Sequence, residues 1–120
     1  MKKQEHTSIT YLKFLNLVAA IRDLPGFPDV DPVEERLLDL FAAAWHAGRK
    51  ITVLEAMGML TDISASTAHR RIKHLRQKGL LALEIDDIDN RVKYVVPTPQ
   101  TNQYFAKLGD CLDKAAASAS

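Results

Sequence analysis

At 120 residues, 47 % of them apolar and 26 % charged, the chain has the size and balance of one ordinary globular domain, which excludes wholesale disorder. Sixteen Lys and Arg against 15 Asp and Glu give a net charge of +1, so any nucleic-acid surface must be local rather than spread over the molecule. A lone cysteine, Cys111, rules out an internal disulfide and fits a reducing, cytoplasmic setting, and no apolar run approaches the roughly eighteen residues that a membrane span needs.

The first predicted helix covers residues 8–24, with Thr7 or Ser8 as N-cap. Its apolar residues form two neighbouring stripes, Leu12-Leu15-Val18 and Phe14-Leu17-Ile21, an arc too wide for one buried face, so a second partner surface is implied. Lys13, Asn16 and Arg22 interrupt the run, which marks an amphipathic helix and not a signal peptide. Turn chemistry from Asp23 to Pro28 ends it. Asp31-Pro32-Val33-Glu34 then offers an acceptor at N-cap, proline at N1 and a glutamate at N3, a strong helix start. That helix is predicted to run to Gly48 and to bury Val33, Leu37, Leu40, Phe41, Ala44 and Trp45. After a short link at 49–51 with room for a strand residue, Thr52 and Glu55 make a second capping box, opening a short helix to about Leu60 with Val53, Ala56 and Met57 facing inward.

The next segment, residues 64–79, carries five Lys or Arg, two His and no acid, leaving 11 basic against 15 acidic residues in the rest of the chain. Ser64 is placed to cap a helix whose narrow apolar stripe is Ala65, Ala68, Ile72 and Leu75, and Gly79 sits where a left-handed residue closes it. Beyond it, residues 80–85 and 92–96 read as a two-stranded hairpin around the acidic turn Asp86-Asp87-Ile88-Asp89-Asn90. Thr98-Pro99 starts a last helix over 99–114 with a stripe of Tyr104, Leu108, Cys111, Leu112 and Ala115.

Short helix, tight turn, basic helix and hairpin are the parts of a winged helix-turn-helix, in which the second helix enters the major groove. Two runs give the chain its resemblance to the multiple-antibiotic-resistance regulator (MarR) family: Ser64-Ala65-Ser66-Thr67-Ala68-His69-Arg70 through Leu75 to Lys78-Gly79-Leu80, and Asp89-Asn90-Arg91 with Thr98 seven residues after Arg91. The resemblance implies a mainly α fold with a small β-hairpin wing, a winged helix-turn-helix over 51–98 flanked by N- and C-terminal dimerisation helices, all in a single domain over 1–120. It also implies a homodimer, regulation of transcription, and control by a small-molecule effector. Two positions depart from the family pattern. Thr101 stands where glycine is common, which reads as minor. Arg71 stands where an apolar residue is common, which implies either a less buried second face or an added phosphate contact.

The residues expected at double-stranded DNA are Ser66, Thr67, His69, Arg70, Arg71, Lys73, His74 and Arg91. Ser66, Thr67, His69 and Arg70 lie in the first two turns, within reach of base edges, and Arg70 can fork onto guanine O6 and N7. Lys73, His74 and Arg76 come later and suit phosphate or solvent. Arg91 is expected in the minor groove, with Asp89 on the same face of a strand to orient it. Glu84, Asp86, Asp87 and Asp89 would be repelled by phosphate and argue against a deeply inserted wing. The competing reading is a winged-helix protein-interaction module whose basic face meets an acidic partner. No metal cluster, cofactor loop or catalytic constellation is present in the sequence, so an enzyme is not expected. Cys111 reads as a core thiol before a redox switch, and Phe41 and Trp45 as core before an effector pocket.

Overall fold

The computed structural model describes residues 2–118. These fall into two compact units, one drawn from Met1–Asp29 and Asn102–Ser120 and the other from Val30–Thr101. No described helix is long and apolar enough to cross a membrane.

In the first unit, helix α1 spans Lys2–Arg22, starting earlier than the expected residue 8 and ending before 24. Thr7 and Ser8 do not cap it. Their hydroxyls donate to the carbonyls of Lys3 and Gln4, one turn back inside the helix, and Thr10 does the same to His6. No residue of α1 is buried: Phe14, Leu17 and Ile21 are half-covered, while Ile9, Tyr11, Leu12 and Leu15 stand open. Helix α5, Pro99–Ser118, has its first turn in the second unit and the rest in the first. Tyr104, Cys111 and Ala115 are buried as the stripe predicts, but Leu112 is 55 % exposed. The covered line runs 104, 108, 111, 115, with Leu108 half-buried, and Leu112 lies about 100° off Cys111.

The second unit holds α2 (Pro32–His46), β1 (Ile51–Thr52), α3 (Val53–Met57), α4 (Ala65–Gln77), β2 (Ala82–Ile85) and β3 (Lys93–Val96). The expected hairpin has a third strand. β3 is central, pairing with β2 from Ala82↔Val96 to Ile85↔Lys93 and with β1 at Ile51↔Val95 and Thr52↔Tyr94. Leu37, Leu38, Phe41, Ile51, Leu75, Leu80 and Val95 form the core. Val33, Leu40 and Trp45 are only half-buried, because the covered arc of α2 is Glu34, Leu37, Leu38, Phe41 and Ala44. The Trp45 indole N–H donates to the Val95 carbonyl at 3.1 Å and its ring lies 5.8 Å from Phe41, so both aromatics serve core packing.

Both predicted capping boxes form, at Asp31/Glu34 and Thr52/Glu55. A third reciprocal cap was hidden in the departure at Thr101, which is not minor. The Thr98 amide donates to Thr101 Oγ1 at 2.9 Å and the Thr101 amide to Thr98 Oγ1 at 3.1 Å, while their hydroxyls donate to the carbonyls of Gly79 and Leu80, each at 2.6 Å. The start of α5 is thereby tied to the exit of α4. Gly79 itself has φ +80°, the left-handed region that favours glycine.

Candidate nucleic-acid interface

Helix α4 begins as its sequence dictates. Ser64 Oγ accepts the Thr67 amide at 3.1 Å and donates to Thr67 Oγ1 at 2.9 Å, so the cap satisfies an orphan N–H and engages the Thr67 hydroxyl. The buried stripe is Ala68, Ile72 and Leu75. Ala65, expected within it, is exposed, because the turn at 61–64 that precedes it is itself mostly exposed and offers the first turn little to pack on.

At 100° per residue, the side farthest from that stripe carries Ser66, Arg70 and Lys73, with spacings of four and three, and all three are exposed. No acid among the described residues pairs with Arg70, Lys73 or Arg76. His69 and Arg76, seven apart, lie along one flank. Thr67 and His74 lie along the other and are half-buried. Arg71 departs from the group. Its Nη1 lies 2.6 Å from Asp31 Oδ2 and its Nε is buried, so its guanidinium is engaged with α2 and does not share the open face.

Between α3, α4 and the wing lies a cleft of about 650 Å³, lined by His69 and Arg76 on one wall and by Arg91 and Lys93 on another, over Val53, Leu54 and Met57. Lys93 was absent from the expected residues at the DNA, and Arg76 was given only phosphate or solvent. The seven-residue step from His69 signals Arg76; Lys93 depends on where the strand starts. The cleft converges four basic side chains from two elements.

Asp89 and Arg91 form the expected pair, but in the wing loop and not on a strand. Arg91 Nε and Nη2 donate to the two Asp89 oxygens at 3.0 and 3.1 Å, a fork that orients a side chain 90 % exposed. The Arg91 side chain, and then its amide, hold the Asp89 carboxyl below the ordinary aspartate range. The loop is closed by the Asp86 amide on the Val92 carbonyl at 2.9 Å and the Val92 amide on the Asp89 carbonyl at 3.0 Å. Asp86, read from the sequence only as a repelling charge, organises the loop: one oxygen accepts the amides of Ile88 and Asp89, the other the Tyr94 hydroxyl at 2.8 Å. An Asx-turn signature was available in the sequence, since an aspartate two and three residues before free amides is its usual form. Two of the four wing acids are thus engaged locally. Ile88, at the tip, is 97 % exposed. Among the described residues no group of three or more His, Cys, Asp or Glu could hold a metal ion.

No family model matches the sequence, and no curated protein matches it in sequence. Solved structures do match in fold. A transcriptional regulator, Tm0710, from Thermotoga maritima superposes with a TM-score of 0.66 at 16 % identity, covering 96 % of this chain and 72 % of its own. A MarR-like transcriptional regulator from the same organism gives 0.64 at 18 %, covering 98 % and 80 %. The heme sensor protein PefR from Streptococcus agalactiae, in complex with heme, gives 0.57 at 22 %, covering 98 % and 76 %. The fold is that of MarR-type winged-helix regulators, as the wing and helix motifs implied.

Proposed function

We propose that this chain, with its MarR-type fold, is a sequence-specific double-stranded DNA-binding regulator of transcription, acting in the cytoplasm as a homodimer and repressing by occupying a pseudo-palindromic site. The observation that carries the reading is the outward line Ser66, Arg70 and Lys73, unpaired by any described acid and flanked by the basic cleft of His69, Arg76, Arg91 and Lys93. Ser66, His69 and Arg70 read base edges in the major groove, Lys73 and Arg76 take phosphate, and Arg91, aimed by Asp89, reaches the minor groove. Thr67 and His74 act from the flank, and Arg71 leaves the DNA-contact set.

Homodimerisation is supported by Ile9, Tyr11, Leu12 and Leu15, which α1 leaves open beside the half-covered stripe of Phe14, Leu17 and Ile21. Two-fold symmetry would place the two α4 helices roughly 34 Å apart, in successive major grooves. A small-molecule effector belongs to the same proposal, because one protein of this fold is a heme sensor.

Titration of random duplex DNA by gel shift at two salt concentrations tests the reading. A DNA binder gives a log–log salt slope of about −0.9 per phosphate neutralised. Stable complexes with an acidic protein and no DNA affinity at low salt would instead favour a protein-interaction module.

A further inference from the structure

Helix α4 is held to its unit by a small apolar stripe. Ala68, Ile72 and Leu75 make it up, each almost fully buried. The polar contacts on its inner flank are of another kind. Arg71 reaches Asp31, the N-cap of α2, at 2.6 Å, and Lys78 reaches Glu34, the N3 residue of the same capping box, also at 2.6 Å. The Glu34 side chain is 1 % exposed, and the oxygen that takes Lys78 also accepts the Asp31 amide at 2.9 Å. Asp31 in turn accepts the Glu34 amide at 2.8 Å. One capping box therefore satisfies the start of α2 and grips two cations of α4.

Arg71 and Lys78 are seven residues apart, about 10.5 Å along the helix axis, with buried Leu75 between them on the same side. Two anchors at that separation fix both rotation and axial position, which one ion pair cannot do. Glu34 is buried while Arg71, Asp31 and Lys78 stay about one-third exposed; such pairs contribute little net stability against an apolar contact, so their use is best sought in specifying one arrangement. The outward side of α4, away from the buried stripe, carries Ser66, Arg70 and Lys73. A turn of the helix by a few tens of degrees would move the Arg70 fork off a base edge while leaving its charge near phosphate.

We propose that Arg71 and Lys78 are positioning residues, clamped by the Asp31/Glu34 capping box, that set the placement of α4 and through it the sequence discrimination of Ser66 and Arg70. The proposal rests on the DNA-binding reading above. It assigns Arg71 a role in specificity without contact to DNA.

The experiment compares wild type with Arg71→Met, Lys78→Met, Asp31→Asn and Glu34→Gln, on a duplex selected by the wild-type protein and on random duplex of equal length. Asp31→Asn and Glu34→Gln keep acceptors for both capping hydrogen bonds while removing the charges, so they separate clamping from folding. Circular dichroism verifies that each variant is folded, and Arg71→Lys tests rescue. The expected result is a loss of about tenfold in the ratio of selected to random affinity, equivalent to about 1.4 kcal/mol, with random-duplex affinity and its salt slope unchanged. Arg71→Lys should recover part of the ratio.

Equal losses on both duplexes, with the Arg71→Met slope shallower by about 0.9, would overturn the proposal by making Arg71 a phosphate contact. A lower melting temperature with an unchanged ratio in the charge-neutral variants would overturn it by making the clamp merely structural. If the wild-type protein enriches no sequence and binds no duplex, the DNA-binding reading fails and this one falls with it; if it enriches a sequence and the variants match it, only the clamp fails.

Discussion

One oxygen of Asp86 accepts the amides of Ile88 and Asp89 and the other accepts the Tyr94 hydroxyl, so a single carboxylate sets the shape of the wing loop that presents Arg91. These bonds, the Asp89 amide foremost and then the Tyr94 hydroxyl, favour the charged form and hold the Asp86 pKa below its ordinary value. A depressed folded pKa means that the stabilising contribution is present above the unfolded value and is lost as pH falls through the folded one, so the wing should stay ordered at neutral pH and loosen only in acid. Tyr94 titrates in the opposite sense: Asp86, by hydrogen bond first, raises its phenol, with Glu84 and Glu55 adding to the effect. Asp86→Asn should therefore move the Tyr94 phenol back toward its ordinary value and speed hydrogen exchange of the Ile88 and Asp89 amides at neutral pH. An unchanged Tyr94 titration, followed by ultraviolet absorbance against a Tyr94→Phe control, would contradict this role for Asp86.

At the scale of elements, the junction between α4 and α5 depends on Thr101, fully buried with its hydroxyl on the Leu80 carbonyl. Thr101→Val keeps the shape but removes that donor and the acceptor for the Thr98 amide. Leaving buried polar groups unpaired costs about 1–3 kcal/mol, which chemical denaturation should register as a lower midpoint at unchanged slope, whereas Thr101→Ser should lose much less. A Val variant as stable as wild type would contradict the junction. What could be read from the sequence here was short in range. The Asp31/Glu34 and Thr52/Glu55 boxes, the Ser64 cap and the Gly79 stop each need only a few neighbouring residues, and all four form. Features set by distant partners were not readable in that way. Strand β1 exists because Ile51 finds Val95, Arg71 turns inward because Asp31 is there, and Glu34 is buried because Lys78 comes from 44 residues away. The start of α1 was misplaced for a local reason: hydroxyls at Thr7 and Ser8 suit a cap, yet they also bond back to carbonyls within a helix, and here they do.

At the scale of the whole molecule, the open residues Ile9, Tyr11, Leu12 and Leu15 on α1 and the outward cations of α4 support one account, a symmetric dimer presenting two reading helices to one duplex. Candidate site residues within α4 were identifiable because a basic run behind a cap is contiguous in sequence, whereas the cleft joining His69 and Arg76 to Arg91 and Lys93 exists only once the wing has folded back. Selection of bound sequences from a random duplex pool tests the account most directly, since it reports binding, symmetry and spacing together. The dimeric reading predicts enrichment of an inverted repeat with half-sites centred about 10–10.5 base pairs apart or a multiple of that. A pool that stays unenriched at low salt, while the folded protein is recovered intact, would contradict it.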